Sequence, residues 1–493
     1  MGGIGRLPQQ VTFGSLPDDV LLKIFKSFVD ATIDDFYASE EWVKLVHICR
    51  RWRNLAFTSP RHLNLQLLCL PPWRSVKNML GIWPELPICL GYDHPDQEAS
   101  GDVVAVLKLN HRVSRIHLKG TSDSAWETFA LLLQYPFPSL THLSIEPYSP
   151  IQKAISHSFL GGSAPCLQVL LLNGFPFPAL PNLLLSATNL VCLWYDSIPP
   201  SGYIPPQAMV TSLSALTRLE SLSLSFLSPR DLPDRATRIP PPHMRALLPA
   251  LTYLRYQGVP EYMEDLVAQI DAPLLESMVI MFFYQEVLEV SQLAKFVRRA
   301  DKLSLTDRAE VTFQEDWIHV TLSPQESVVG RVDPKTLELN LACSEQVLRV
   351  SHLAQLCVSC LPTLSIFECL DILVPFHLTW TSEDVIDPDL DPQWLELLRL
   401  FNTVKDLQLD KFVASRVERA LRGLPAEQVM EVLPALENVF IPGPEHSGPV
   451  KKAISEFADA RQLSGHPVSI YYQEWRRVHY GRKNKEMDRG VND

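Results

Sequence analysis

The six residues LTHLSI at 140–145 return with other letters and the same spacing of apolar side chains. The further copies are LQVLLL at 167–172, LVCLWY at 190–195, LESLSL at 219–224, LTYLRY at 251–256 and LESMVI at 275–280. Their starts lie 27, 23, 29, 32 and 24 residues apart. Each copy is apolar at its first, fourth and sixth positions, so it closes on the two-residue alternation of a strand with one buried face. A strand that short cannot bury its apolar face alone, and recurrence at this period implies that neighbouring copies stack to share one core.

This is the period and internal spacing of leucine-rich repeats, in which Leu-x-x-Leu-x-Leu forms a short parallel strand and the remainder returns by helix or loop. The expected fold class is α/β. An irregular solenoid should carry parallel strands on a concave face and helices and loops on a convex one. Weaker copies, VSRIHL from Val113, ADKLSL from Ala300, TLELNL from Thr336, VKDLQL from Val404 and LENVFI from Leu436, extend the array to about residues 105–445. The register between about 305 and 337 is open.

Three places after the last apolar position, where the common repeat puts Asn or Cys, stand Tyr148, Phe175, Ile198, Leu227, Val259 and Phe283. No asparagine ladder is therefore expected, and these residues should be buried at the turn out of the strand. Side chains between the buried leucines should point to the concave face. They include His142, Ser144 and Glu146, then Trp194 and Asp196, then Ser221, Ser223 and Ser225, then Tyr253 and Arg255, then Val279 and Met281. Glu146, Trp194, Asp196, Tyr253 and Arg255 are the candidate target-binding residues, since Trp, Tyr and Arg are the types that dominate protein interfaces.

Upstream of the repeats, SLPDDVLLKIF at 15–25 starts a second pattern. Ser15 with Asp18 marks a helix start, with Pro17 in the first turn. Val20, Leu21, Ile24, Phe25, Phe28 and Val29 then form a wide apolar stripe. After a polar stretch around 30–39, Trp42, Leu45, Val46, Cys49, Trp52 and Leu55 form another at helical spacing, and Pro60 closes the unit.

LPDDVLLKIF followed by WVKLVHICRRWRNLAF resembles the F-box. That resemblance implies a three-helix unit docking on the Skp-family linker of a cullin-RING ubiquitin ligase. Leu16, Pro17, Ile24 and Phe25 would enter the linker's groove, with Leu45, Val46, Cys49 and Trp52 supporting the second helix. The repeat body, with SATNLVCLWYDSIPPSGYIPPQAMVTSLSALTRLESLSLSF and the closing EVLPALENVFIPG and SGPVKKAISEFADARQLSGHPVSI, is similar to F-box proteins with degenerate leucine-rich repeats expanded in mushroom-forming fungi. It implies an adaptor that selects proteins for ubiquitination.

Composition narrows the alternatives. At 493 residues, with 46% hydrophobic and 20% charged, the chain can bury a large core. A net charge of -12 supplies no general attraction for nucleic acid. The nine cysteines from Cys49 to Cys369 form no disulfide framework and no secretory signal precedes them, so reduced thiols in cytoplasm or nucleus are expected. No apolar run reaches the ~18 residues of a membrane span.

Motifs for chemistry are absent or incomplete. Cys357 and Cys360 form one C-x-x-C without a second ligand pair for zinc. Asp387, Asp389 and Asp391 alternate within SEDVIDPDLDP but lack the glycine and closing glutamate of a calcium loop, and read as a solvated acidic loop. No H-E-x-x-H, G-x-S-x-G or phosphate loop occurs. No enzyme, cofactor or metal is expected.

The organisation expected is a helical domain at 12–62, a connector at 63–104, repeats at 105–445, a capping helix region at 446–470 and a polar, basic, flexible tail at 471–493. The proline-rich SPRDLPDRATRIPPPHM from Ser228 should be a surface loop. The expected function is that of a substrate-recruiting adaptor. Its rivals are a repeat scaffold whose first helices are only a cap, and a sensor of a small ligand or nucleic acid.

Overall fold

The computed structural model describes residues 16–31, 41–60, 62–70, 85–93, 101–228, 245–283, 290–303, 307–314, 317–324, 336–342, 350, 353–354, 358, 367–374, 390–422, 424–442 and 449–473. Ser15, the stretch at 32–40, most of the proline-rich loop, Cys357 with Cys360, Asp387 with Asp389, and the tail beyond 473 lie outside them. Two compact units are present, Met1–Leu190 and Val191–Asp493.

The first unit opens with helices α1 (Asp18–Asp30), α2 (Val43–Ile48) and α3 (Arg50–Thr58). Pro17 is the N-cap of α1 rather than a first-turn residue. The wide stripe of α1 divides into two rows of i, i+4 neighbours. Leu21, Phe25 and Val29 are buried, whereas Ile24 and Phe28 stay 40% and 37% exposed. The stripe from Trp42 to Leu55 is likewise not one helix, because Cys49 is extended at φ -157, ψ 169. Its Sγ accepts from the Trp52 amide at 3.5 Å and caps α3.

Cys49 thereby turns the chain so that α2 and α3 pack side by side. Their core joins Phe25, Trp42, Val46 and Ala56 to Leu63, Leu65 and Leu67. The Phe25 ring lies 4.7 Å from that of Trp52, and the Trp42 Nε1 donates to the Gln66 carbonyl at 2.8 Å.

Five strands follow in this unit: β1 (Leu67–Cys69), β2 (Ile88–Asp93), β3 (Val113–Thr121), β4 (His142–Pro147) and β5 (Val169–Asn173). They lie side by side in chain order, all parallel. The returns carry α4 (Gly101–Leu107), α5 (Asp123–Leu132) and α6 (Leu180–Leu184).

The second unit repeats the plan with β6 (Cys192–Ile198), α7 (Pro206–Leu213), β7 (Ser221–Phe226), β8 (Ala246–Leu247), β9 (Tyr253–Gly258), α8 (Pro260–Val267), β10 (Ile270–Asp271), β11 (Ser277–Phe282) and α9 (Ser291–Arg299). Strands β6, β7, β9 and β11 are parallel neighbours, and β8 pairs with β10 as a small separate sheet. In all six strong copies the first leucine, two residues before its strand, is buried. Each strand begins where the copies begin their alternation.

Between 303 and 342 the regular plan fails, at the place where the register was open. Leu303 of ADKLSL is buried in the turn after α9, and the described strand starts at Arg308, beyond that copy. Instead β12 (Arg308–Phe313), β13 (Trp317–Ser323) and β14 (Leu337–Ala342) form a meander inserted in reverse order. β14 pairs parallel with β11, β13 lies antiparallel between β14 and β12, and β12 pairs parallel with β15 (Cys369–Leu373). Parallel strands resume with β16 (Asp406–Leu409), β17 (Asn438–Pro442) and β18 (Ser469–Gln473). Helices α10 (Leu390–Leu400), α11 (Lys411–Leu421), α12 (Ala426–Val429) and α13 (Pro449–Leu463) accompany them.

Two expectations for this end are corrected. Asp391 stands in the first turn of α10, not in an acidic loop. The helix α13 buries Ile454 and Phe457 as its periodicity requires, but it does not end the array. β18 pairs beyond β17 and crosses the expected start of the tail at 471, because SIYYQ carries one more apolar alternation.

Other side chains replace the missing asparagine ladder. Thr141, Thr252 and Thr403 hydroxyls donate at 2.9, 3.2 and 3.1 Å to the carbonyls of Ser114, Glu220 and Phe367, one repeat earlier. Buried carboxylates cap helix starts. Asp410 accepts from the Val413 amide of α11 at 2.8 Å and from Val374, just after β15, at 2.6 Å. Phe175, Ile198 and Val259 are buried at the turns as expected, but Tyr148 and Leu227 are exposed.

Candidate functional site

Two surfaces gather the residues singled out above. The first is on α1. The Arg51 guanidinium reaches from α3 to the Leu16 carbonyl at 2.6 Å and to Asp18 Oδ1 at 2.5 Å, so the start of α1 is held by its own neighbour. Of the eight residues proposed for linker contact, Pro17, Ile24 and Cys49 are exposed, and Leu16 and Trp52 are half-buried. Phe25, Leu45 and Val46 belong to the unit's own core. Phe25 therefore cannot enter a partner's groove in this conformation, because its ring already packs on Trp52. Phe28, one turn on from Ile24, takes the exposed place, and the i, i+4 rule alone identifies it.

The second surface is the half-exposed face of the repeat strands. In the first unit, Glu146 sits beside Lys119 in register, and Ser144 beside His117. Burial pushes the His142 imidazole down to about 4, with Arg115 adding to the effect. His117 is lowered by burial too, against the opposing charges of Asp93 and Glu146.

In the second unit Trp194, Asp196, Tyr253 and Arg255 come together across β6, β7 and β9. Register sets Trp194 beside Ser223 and Ser223 beside Arg255. The Trp194 indole is 39% exposed and its Nε1 donates to Ser221 Oγ at 2.9 Å, which fixes the ring. No described loop hides it. Ser223 donates its hydroxyl to Asp196 Oδ1 at 2.7 Å and Ser225 to Gln257 Oε1 at 3.1 Å. These serines were expected on the open face, yet Ser223 and Ser225 are buried. Their side chains are too short to rise between the larger ones on β6 and β9.

Burial raises the Asp196 carboxyl, while the Ser223 bond and the Arg255 charge pull it back. Tyr253 is raised by burial, with Arg255 opposing and the carboxylates of Glu338 and Asp196 adding to the rise, so all four groups share one field. An acid raised on folding binds its proton more tightly in the folded state. Asp196 therefore lowers stability as pH climbs from its unfolded value through its folded one. Ser223→Ala removes a bond to the ionised form and is expected to move the Asp196 titration further upward, as read by side-chain carboxyl NMR.

Register carries this face onward to residues that the sequence reading did not single out. From Arg255 the row continues through Val279, Glu338, Thr321, Glu310, Asp371, Gln408, Phe440 and Tyr471. The strict alternations RAEVTF and WIHVTLS at 308–313 and 317–323 were the available signal for the hairpin. Among the described residues no group of three His, Cys, Asp or Glu is placed to hold a metal ion. No helix among them is long and apolar enough to cross a membrane.

No protein-family model matches the chain, and no curated protein does. Among solved structures, the leucine-rich repeat-containing protein LegL7 from Legionella pneumophila is similar over 81% of this chain and 97% of its own, at 11% identity and a TM-score of 0.25.

Proposed function

We propose that this protein is a non-catalytic, substrate-recruiting adaptor. Its N-terminal helices dock on the Skp-family linker of a cullin-RING ubiquitin ligase, and the half-exposed face of the repeats holds a target protein in cytoplasm or nucleus. The observation that supports the first half is the outer row of α1. Ile24 and Phe28 are apolar, exposed and one turn apart on a helix whose inner row already has a complete core. Two neighbouring apolar side chains left outside a packed core are available to a partner's groove. Target holding rests on the repeat architecture itself, which presents alternate side chains of many strands on one surface. The ligase would act by proximity, bringing a target lysine near the charged enzyme.

The test is direct binding of the purified Skp-family linker to the full chain and to an Ile24→Glu, Phe28→Glu variant. Both positions are exposed, so the variant reads the surface and not the core. Its affinity should fall by at least about tenfold with an unchanged melting profile. Absence of binding by the wild type would sink the ligase assignment. A repeat scaffold outside any ligase is the second reading, favoured by the burial of Phe25, Leu45 and Val46 in the unit's own core. In that case a partner binds the repeat face while the linker does not bind at all.

A further inference from the structure

On the half-exposed face of the second unit a groove runs along β7. This strand lies between β6 and β9, and its Ser223 stands in register between Trp194 and Arg255. Ser223 and Ser225 are short and buried, so the larger side chains of β6 and β9 rise as walls on either side of them. Strands two steps apart in a sheet are about 10 Å from each other, which leaves room for one flat group between the walls.

The two walls differ in chemistry. On the β6 side Trp194 offers an exposed indole face held by its bond to Ser221. Beyond it the strand bulges between Tyr195 and Ile198, with Ser197 in the left-handed region at φ 49. Bulges re-aim side chains, and here the Asp196 carboxylate turns over the groove floor to accept from Ser223 on Oδ1 at 2.7 Å. Its Oδ2 has no hydrogen-bond partner among the described residues and is open to an arriving donor. On the β9 side the free groups are donors. The half-buried Arg255 guanidinium makes no hydrogen bond or ion pair among the described residues, although its charge acts on both Asp196 and Tyr253. Gln257 accepts from Ser225 on Oε1, which leaves its Nε2 to donate.

We propose that this groove receives the side-chain amide of an asparagine or glutamine on the target protein. Its carbonyl accepts from Arg255 and Gln257, its NH2 donates to Asp196, and its flat face lies against Trp194. The inference rests on reading the repeat face as the target-binding surface. Charge and hydrogen-bond complementarity select the occupant. A carboxylate carries acceptors alone and would meet Asp196 and Glu338, whose charges both reach Tyr253 at this groove. An ammonium carries donors alone and would cover Arg255 and Gln257 without matching them. A primary amide has a carbonyl acceptor, two N–H donors and no net charge, so it answers both walls. A polar group that loses water without gaining a partner is costly, which makes the choice selective.

The test follows the Trp194 indole by fluorine NMR on the full chain labelled with fluorotryptophan, the signal being assigned through Trp194→Phe. The probe is N-acetylglutamine N-methylamide, titrated into the millimolar range because a contact made by one side chain is weak. The Trp194 signal should shift and saturate while the other indole signals stay in place. The matching glutamate, lysine and leucine compounds should each bind with a Kd at least about threefold higher. Asp196→Asn keeps an oxygen for Ser223 but puts donors on both walls. It should weaken the glutamine compound about three- to tenfold and bind the glutamate compound better than the wild type does. Arg255→Leu should weaken the glutamine compound by a similar factor, and unmoved signals from the other indoles show that each variant is folded.

No saturable shift of the Trp194 signal, tighter binding of the glutamate or lysine compound by the wild type, or unchanged glutamine affinity in both folded variants would each overturn the inference. An equal response to the leucine compound would overturn it too, since the contact would then be made by the main-chain amides or by apolar surface alone. Linker binding measured on the same preparations separates the two readings. Linker failure with amide binding removes only the ligase assignment, and the reverse removes only the amide site.

Discussion

Phe25→Ala is expected to destabilise the N-terminal helices by about 3–5 kcal/mol, the range for emptying a fully buried aromatic site. Phe25 is fully buried between α1 and the ring of Trp52, inside a core that extends through Trp42 and Val46 to Leu65 and Leu67. A unit of about fifty residues has little stability to spare, so the loss should appear as local opening. Hydrogen exchange followed by mass spectrometry should show peptides from 18–58 losing protection while those from β6 to β11 keep theirs. Ile24→Ala, one residue away on the exposed row, should leave exchange unchanged. Equal protection in the Phe25 variant would mean that the helices are not held by this core. The contrast matters for function, since a variant at Phe25 that loses a partner would report unfolding and not contact.

Glu264→Ala should lower the urea midpoint of the second unit, with a loss of about 2–4 kcal/mol. Glu264 sits on α8, and its carboxylate is buried. Oε2 accepts from the Gln292 amide at 2.8 Å and Oε1 from the Leu293 amide at 2.7 Å, at the start of α9 one repeat later. Val290, the N-cap of α9, makes no side-chain capping bond, so this carboxylate does the capping. A negative group at a helix N-terminus is also favoured by the helix dipole. Removing it leaves two amides at the start of α9 unpaired, that of Leu293 buried. Glu264→Gln keeps an acceptor oxygen and should lose about half as much. A midpoint unmoved by Glu264→Ala would show that α9 is held by its apolar face alone.

Much of this fold is legible in the sequence. Six copies with one spacing each became a strand paired in parallel within its unit, because the apolar side chains at the fourth and sixth positions can be buried together in only one register of a strand. The weaker copies at Val113, Val404 and Leu436 also lie on parallel-paired strands, whereas Thr336 leads into β14 of the meander, parallel to β11 and antiparallel to β13. In ADKLSL, Leu303 serves the turn after α9, a role that a three-position pattern does not distinguish from a strand. The break between α2 and α3 was hidden because Trp42 to Leu55 keep helical phase across Cys49, and a single extended residue leaves no mark on periodicity.

What the sequence determined by itself is the local grammar: which residues alternate, which stripe is apolar, and that stacked repeats share a core. Those follow from the fixed geometry of strand and helix. Only the tertiary structure decided which half of an apolar stripe is used. Leu21 and Phe25 turn inward because α3 lies on that side, leaving Ile24 and Phe28 outside. Only the register between strands brought Glu338 and Glu310 to either side of Thr321. Neighbours across a sheet are set by how strands slide and reverse against one another. The meander of β12 to β14 inverts chain order, so residues adjacent in that row are separated by tens of positions in the chain.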